Sequence, residues 1–285
     1  MLKEAAAVPT HDARRIVRTD LIRIEPPMTP RQRYVSRELI HFVGRDLPEK
    51  DQYALLMKIL ASGWMTHPPH DPDVSGHLTV NTDARISENQ MYYPQIICFS
   101  DIPIGELDIH IQKFSRFGLS FRKSFLVQHG ANPVFYIAKN ATTRSAPSGG
   151  RREVEGREDR RTADRPAHRI SLAEHFDETI REYHNLFQQL RDSLQRGELI
   201  DPVQRLFSIK EFLDDHIFSF LKFFDESKPE EDPENFYMER EWRILGNLRF
   251  TLGDIRRIIL PESYAPRLRE ELPKYIGQIT FVESP

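Results

Sequence analysis

The sequence predicts an α+β fold built on a discontinuous mixed or antiparallel sheet, with helices inserted between its strands. Short bulky runs typical of strands occur early, in the middle and late in the chain, at 38–43, 95–99 and 255–260. Two long segments with apolar residues at helical spacing lie between the last two, at 172–194 and 201–220. Strands and helices do not alternate regularly, which argues against a parallel βαβ array.

The composition is that of a globular protein with a substantial core. The chain has 285 residues, 39% of them apolar, and a formal net charge of −3, so no field of the whole protein favours nucleic acid or an acidic membrane. Its single cysteine, Cys98, excludes an internal disulfide framework. The longest apolar runs are far shorter than the roughly 20 residues that span a bilayer, and no segment resembles a signal peptide. These features predict a cytoplasmic protein with no membrane contact.

Residues 1–33 are predicted to form an N-terminal arm, and residues 34–139 the first half of the α+β core. In this half the run Glu38–Val43 predicts a strand that ends at Gly44. Apolar residues spaced by three and four predict a helix that stops at Gly63. The other predicted elements are a buried strand at 95–99, a short helix at 104–117 and strands at 119–121 and 134–138.

Residues 140–169 are predicted to be a disordered insert, because they are rich in Ser, Gly, Pro and Arg and almost free of large apolar groups. The insert carries eight arginines and five acidic residues. An arm that binds nucleic acid is therefore an alternative to a purely solvated segment.

Residues 170–228 are predicted to form a helical hairpin. Ser171 and Glu174 make a capping box for the first helix, and Asp201-Pro202 begins the second. Residues 229–285 complete the core, with strands at 236–245, 255–260 and 278–282 and a helix at 264–275.

The predicted late strand carries the most informative charges. Strand alternation places Tyr237, Glu239, Glu241 and Arg243 on one face. Two carboxylates that close together repel, which raises the pKa of one of them unless a cation or ligand compensates. The alternative, of equal weight, is a solvent-exposed face whose charges pair across strands.

Other candidate residues are less informative when each is considered alone. His41 shares a strand face with Leu39 and Val43, which is typical of a half-buried, hydrogen-bonded core histidine. Ser100 and Asp101 end a strand, where catalytic groups gather but where turns also favour these residue types. Cys98 lies inside an apolar run, where a thiolate is disfavoured.

No metal site is predicted. Three histidines and two aspartates between positions 67 and 77 lie in one loop, but prolines separate them and no recognised ligand spacing is present. The sequence also lacks a Gly-rich phosphate loop, a nucleophile elbow and a Cys-x-x-Cys pair.

Six short motifs occur together in order: His41-Phe42-Val43-Gly44, Cys98-Phe99-Ser100-Asp101-Ile102-Pro103, His110, Phe117-Gly118-Leu119, Asn132-Pro133-Val134-Phe135-Tyr136 and Glu239-Arg240-Glu241-Trp242-Arg243. In order and spacing the chain resembles the AbiGi family of abortive phage-resistance proteins over roughly residues 34–260. This resemblance implies a role in phage defence, as the antitoxin-like partner of a nucleotidyltransferase-type toxin.

A more distant resemblance is to ADP-ribosyltransferase-like folds, which carry His on an early strand, Ser or Tyr at the end of a second and Glu on a late one. It implies that His41 holds a ribose hydroxyl of NAD and that Ser100 supports the nicotinamide pocket. It also implies that Glu241 stabilises an oxocarbenium-like transition state while Glu239 orients the acceptor. We place Asp101 and His110 with the cofactor-binding residues.

Three functions therefore stay open at this point. The chain is either an NAD-dependent enzyme acting on a macromolecular acceptor, an antitoxin that binds a cognate toxin, or a nucleic-acid sensor that uses the arginine-rich insert.

Overall fold

The computed structural model describes residues 36–67, 78–144, 169–194 and 201–282. The predicted N-terminal arm lies outside these ranges, as does most of the predicted insert, 145–168. The described residues belong to one compact unit, 33–285.

The described elements alternate irregularly between strands and helices. The strands are β1 (Glu38–Phe42), β2 (Trp64–Met65), β3 (Leu78–Val80), β4 (Tyr92–Pro94), β5 (Ile96–Ser100), β6 (Gly118–Arg122), β7 (Asn132–Pro133), β8 (Phe135–Ala138), β9 (Thr142–Arg144), β10 (Arg169–Ser171), β11 (Leu221–Phe224), β12 (Glu241–Leu245), β13 (Leu248–Arg249), β14 (Ile255–Pro261) and β15 (Gln278–Val282). The α-helices are α1 (Glu49–Ser62), α2 (Asp108–Lys113), α3 (Lys123–Gln128), α4 (Leu172–Leu194), α5 (Asp201–His216) and α6 (Ala265–Glu271). Short 3₁₀ turns occupy Ile86–Glu88, Phe218–Phe220, Phe236–Glu239 and Glu262–Tyr264. The predicted α+β class is confirmed.

A seven-stranded sheet forms the centre of this unit, in the order β15-β14-β6-β1-β5-β12-β7. Its neighbouring strands are antiparallel, except that β14 and β15 run parallel. The sheet is therefore mixed, as predicted, and α6 lies in the crossover that a parallel pair requires. Strand β12, from late in the chain, lies between β5 and β7, so residues from both ends of the sequence meet on one sheet.

Helix α1 packs on one face of this sheet. Its residues Tyr53, Leu56 and Leu60 are buried in the largest core cluster, at the spacing that predicted the helix. The helix ends at Gly63, whose φ of 69° is left-handed and whose N–H bonds to the carbonyl of Ile59. Burying one such side chain stabilises the fold by about 1.5–3 kcal/mol, so this face is a main source of stability.

Strands β1 and β5 separate where their other neighbours stay paired. β1 pairs with β6 along its whole length, but with β5 only where Ile40 faces Ser100. β5 nevertheless continues to pair with β12 as far as Ile96. A wedge-shaped gap therefore opens between β1 and β5, and the backbone groups along it need other partners.

The prediction that the second long helix continues through the aromatic run after position 216 is wrong. Helix α5 ends at His216, and Leu221–Phe224 form β11, which pairs in parallel with β8. Asn89 completes the other edge of β11, because its side chain accepts from the N–H of Phe223 at 2.8 Å and donates to its carbonyl at 3.0 Å. Phenylalanine also fits strands well, so the pairing overrides the helical spacing.

Other boundaries also differ from the prediction. The late strand begins at Glu241, because Phe236–Glu239 form a 3₁₀ turn. The helix predicted at 104–117 covers only Asp108–Lys113, since Pro103 and Gly105 oppose an earlier start. The ends of the predicted insert pair as the antiparallel ribbon of β9 and β10, so the residues of these two strands are ordered.

Candidate functional site

A cavity of about 260 Å³ opens at the gap between β1 and β5. We call it the first cavity, and its walls are Ile40, His41, Phe42, Arg45, Cys98, Phe99, Ser100, Phe114, Lys222, Glu239 and Glu241. Four predicted site residues, His41, Ser100, Glu239 and Glu241, thus come from separate parts of the sequence to line one space. An imidazole, a hydroxyl and two carboxylates therefore lie around a common space, as a shared site of these residues requires.

The imidazole of His41 replaces a strand-pairing hydrogen bond in the gap. Its Nδ1 lies 2.9 Å from the carbonyl oxygen of Cys98. Because a carbonyl only accepts, Nδ1 carries the proton, and Nε2 of the neutral ring is an acceptor. Burial lowers the pKa of His41, although the bond to Cys98 acts in the opposite direction. The ring is therefore neutral at pH 7, with Nε2 left to accept from a ligand.

Two cations hold Glu241. Arg243 donates from Nε to Oε1 at 2.8 Å and from Nη2 to Oε2 at 3.2 Å, and Nζ of Lys222 lies 3.0 Å from Oε2. Burial alone would raise the pKa of this carboxyl, but the positive charges of Arg243 and Lys222 outweigh burial and lower the pKa to about 2. Glu241 is consequently ionised at every physiological pH.

Lys222 also joins Glu241 to Glu239. Its Nζ lies 3.1 Å from Oε2 of Glu239, and Nζ of Lys113 lies 2.9 Å from Oε1. Both ammonium groups face the ring of Phe236, at 4.6 Å and 5.3 Å from its centroid. Burial alone would lower the pKa of Lys222, but the negative charges of the two carboxylates outweigh burial and raise this pKa. The carboxylate pair is therefore fully compensated by cations of the protein itself.

The two carboxylates converge through a bend and not through strand alternation. Arg240, between them, has φ 44° and ψ 50°, a left-handed conformation that costs a non-glycine residue about 1–2 kcal/mol. The N–H of Glu241 donates to the Tyr136 hydroxyl at 2.7 Å, which fixes the start of β12. Glu239 and Glu241 are 7% and 5% exposed, so the alternative of a solvent-exposed charged face is wrong.

Asp101 and His110 do not line the first cavity. Asp101 pairs with Lys123 at 2.8 Å and accepts from the N–H of Ser36 at 3.2 Å, which ties the start of β1 to α3. His110 borders a neighbouring cavity of about 160 Å³. Burial lowers the pKa of His110, and its ring stacks on Phe42, with the centroids 6.0 Å apart. Because neither residue lines the first cavity, the cofactor-binding roles of Asp101 and His110 remain predictions.

The sequence pattern indicates Arg243 as a neighbour of the two carboxylates, but not the two lysines, Lys113 and Lys222. Lys222 stands within the apolar run of β11, and a lone lysine in such a run is a signal for a buried cation with an acidic partner. Cys98 was expected to be enclosed, yet its side chain is exposed on the cavity wall. Surrounding protein atoms and the negative charge of Glu241 still raise the pKa of its thiol, which keeps the thiolate disfavoured.

Within the described ranges no three His, Cys, Asp or Glu side chains are placed to hold a metal ion. Residues 68–77, which include His70 and His77, lie outside those ranges. In the part of the chain that the structure describes, no helix combines the length and apolar character needed to cross a bilayer.

Residues 78–271 match a family model described as "Putative abortive phage resistance protein AbiGi, antitoxin". The match spans about two thirds of the sequence. The chain belongs to the AbiGi family. No curated protein and no solved structure matches it.

The AbiGi match confirms the family resemblance that the sequence motifs predict. The matched range includes Ser100, Glu239 and Glu241 and most of the central sheet. It begins after β1, so His41 lies outside the matched range. Membership assigns the chain to abortive phage resistance at the level of the family description.

Proposed function

We propose that this AbiGi protein acts in phage defence as an ADP-ribosyltransferase-like enzyme that uses NAD in the first cavity. The observation that carries the proposal is the adjacency of β1, β5 and β12, which brings His41, Ser100 and Glu241 to one cavity. The resemblance to ADP-ribosyltransferase-like folds assigns NAD chemistry to three strands in this same chain order.

Each residue has a suitable chemical form. Nε2 of neutral His41 is an acceptor for a ribose hydroxyl. Glu241 is ionised, as a carboxylate must be to stabilise positive charge that develops on the ribose. In the proposed reaction the bond between ribose C1′ and nicotinamide breaks and its electron pair stays on the nicotinamide nitrogen. An acceptor nucleophile then bonds to C1′ and loses its proton.

The remaining walls fit half of a dinucleotide. Phe42 and Phe114 offer flat apolar surface for a nicotinamide ring. A cavity of about 260 Å³ suits a nicotinamide riboside, so the rest of NAD would extend past Arg45. That guanidinium lies 5.4 Å from the Phe114 ring centroid and is about half exposed, which leaves it available to a diphosphate.

The decisive experiment is NAD binding by the purified chain. A ligand that binds only the folded state raises its melting temperature, so we expect NAD to stabilise the wild type and to label an acceptor with ADP-ribose. Glu241→Gln should abolish transfer. Glu106→Gln, at an exposed site away from the cavity, is the matched control. Absence of any NAD effect on melting, or transfer by Glu241→Gln at the wild-type rate, removes the enzymatic proposal.

A second candidate, a toxin-neutralising antitoxin, is favoured by the family description and by an apolar surface on the helical pair. Leu186 on α4 and Leu206, Ile209 and Phe212 on α5 are 43–57% exposed. Apolar residues grouped on one pair of helices are typical of partner surfaces.

The two candidates can be distinguished in cells that also express a candidate toxin encoded beside the gene. An antitoxin loses protection with Phe212→Glu and keeps it with Glu241→Gln. The nucleic-acid role of the arginine-rich insert stays a prediction, which salt-dependent binding would test.

A further inference from the structure

We propose that a second cavity, lined by Arg243, binds a guanine nucleotide that regulates Glu241. The regulated activity rests on the proposed function, but the binding itself does not. The second cavity holds about 430 Å³, which is larger than the first and within the range of small-molecule sites. Its walls include Tyr92, Tyr93, Phe218 and Arg243.

Arg243 is shared between the two cavities. It lines the second cavity and holds Glu241, which lines the first. A guanidinium has five N–H groups, of which Nε and one on Nη2 bind Glu241, and one on Nη1 binds the carbonyl of Ser219. Among the described residues the other two N–H groups, one on each Nη, have no partner. The side chain is 8% exposed, so unmet donors there favour a ligand with acceptors.

The chemistry of the walls points to a purine. Tyr93 is 50% exposed, and Tyr92 and Phe218, whose ring centroids lie 5.7 Å apart, also line the cavity. Stacking of a base on an aromatic side chain contributes about 1–3 kcal/mol. Paired arginine N–H groups recognise the O6 and N7 acceptors of guanine. A guanine nucleotide uses both features at once.

Occupation of the second cavity would change the first because the nucleotide and Glu241 would share the charge of one guanidinium. A base edge that accepts from Arg243 weakens its hold on Glu241, which then keeps Lys222 as its main cation. The negative charge that Glu241 presents to the first cavity would increase. Because coupling between two sites is reciprocal, a ligand that binds Glu241 in the first cavity would also change the affinity of the second cavity for the nucleotide.

The binding step is tested by calorimetry with guanosine monophosphate, and with adenosine monophosphate for comparison. We expect guanosine monophosphate to bind the wild type, and Tyr93→Ala to weaken it about tenfold. Phe135→Ala is the control, because Phe135 is also 50% exposed and lines neither cavity. No binding at about 1 mM nucleotide, equal affinity for the two nucleotides, or equal losses in the two variants would overturn the site.

The coupling step has a readout that does not use NAD. Cys98 is the only cysteine in the sequence, and it lines the first cavity. Burial and Glu241 raise the pKa of its thiol, and Arg243 lowers it, so a nucleotide that takes up part of the positive charge of Arg243 should reduce the thiolate fraction. We expect guanosine monophosphate to slow alkylation by iodoacetamide about twofold or more in the wild type and Phe135→Ala.

In Tyr93→Ala the alkylation rate should not respond at the same nucleotide concentration. An unchanged alkylation rate with the nucleotide bound would refute regulation through Arg243. If the nucleotide acts as expected but NAD neither binds nor reacts, the second cavity stands and the proposed enzymatic function fails.

Discussion

Arg243 and Glu241 lie two residues apart on β12 and form a closed ion pair, with Nε of Arg243 2.8 Å from Oε1 and Nη2 3.2 Å from Oε2 of Glu241. Side chains at positions i and i+2 of a strand share a face, so the pairing follows directly from strand geometry. The two side chains are 8% and 5% exposed. Desolvating two charges costs several kcal/mol for each ion, which offsets most of their attraction. The pair therefore serves chiefly to fix the carboxylate.

Removing one partner of this pair should be strongly destabilising. Arg243→Met leaves Glu241 buried with only Lys222 for compensation, and breaking a buried pair costs about 3–5 kcal/mol. The measurement is the free energy of unfolding in urea. Arg267→Gln is the control, because its pair with Glu271 lies on the surface, where ion pairs contribute little to stability. Similar losses in both variants would contradict the buried-pair account.

Acid should destabilise the protein through Glu241. Its pKa is about 2 in the folded state, against a usual 4.5. A depressed pKa stabilises the fold above pH 4.5, and this contribution, about 3 kcal/mol, is lost as the pH falls from 4.5 towards 2. We expect the stability gap between wild type and Glu241→Gln to be largest near pH 7 and to shrink through this window. A gap that is independent of pH would show that Glu241 is not ionised in the folded state.

The sequence predicts the strands of the site better than the contacts within it. Strands β1 and β5 are recognisable because each is a short, bulky run whose local preference agrees with its place in the sheet. The left-handed backbone of Arg240 is not predictable in this way, since arginine rarely adopts it. The position of Lys222 depends on the parallel pairing of β11 with β8, a long-range contact that helical spacing concealed.

His41 should contribute to ligand binding and not to stability. Asn at position 41 can still donate to the Cys98 carbonyl, as Nδ1 does, but it lacks an acceptor at the place of Nε2. His41→Asn should therefore keep the wild-type melting temperature and weaken NAD binding about tenfold, the effect of losing one good hydrogen bond. Burial lowers the pKa of His41 below 6.5, so Nε2 becomes protonated only at acid pH. NAD binding by the wild type should therefore weaken only at acid pH. Unchanged NAD affinity in His41→Asn would assign the ring a purely structural role.

Asn89 should be the most sensitive polar residue at the edge of β11. It has a left-handed backbone, with φ 57°, and its amide makes both hydrogen bonds to the main chain of Phe223. Asn89→Gly removes both bonds without backbone strain and should cost about 2 kcal/mol, at about 1 kcal/mol for each bond. Asn89→Ala should cost about 1 kcal/mol more, because alanine is strained at this φ.

Urea unfolding of the two variants measures both contributions to stability, and Asn81→Ala, at an exposed site in the neighbouring turn, is the comparison. Equal stability of Asn89→Gly and Asn89→Ala would rule out the strain contribution, and a loss no larger than that of Asn81→Ala would rule out the edge-pairing role.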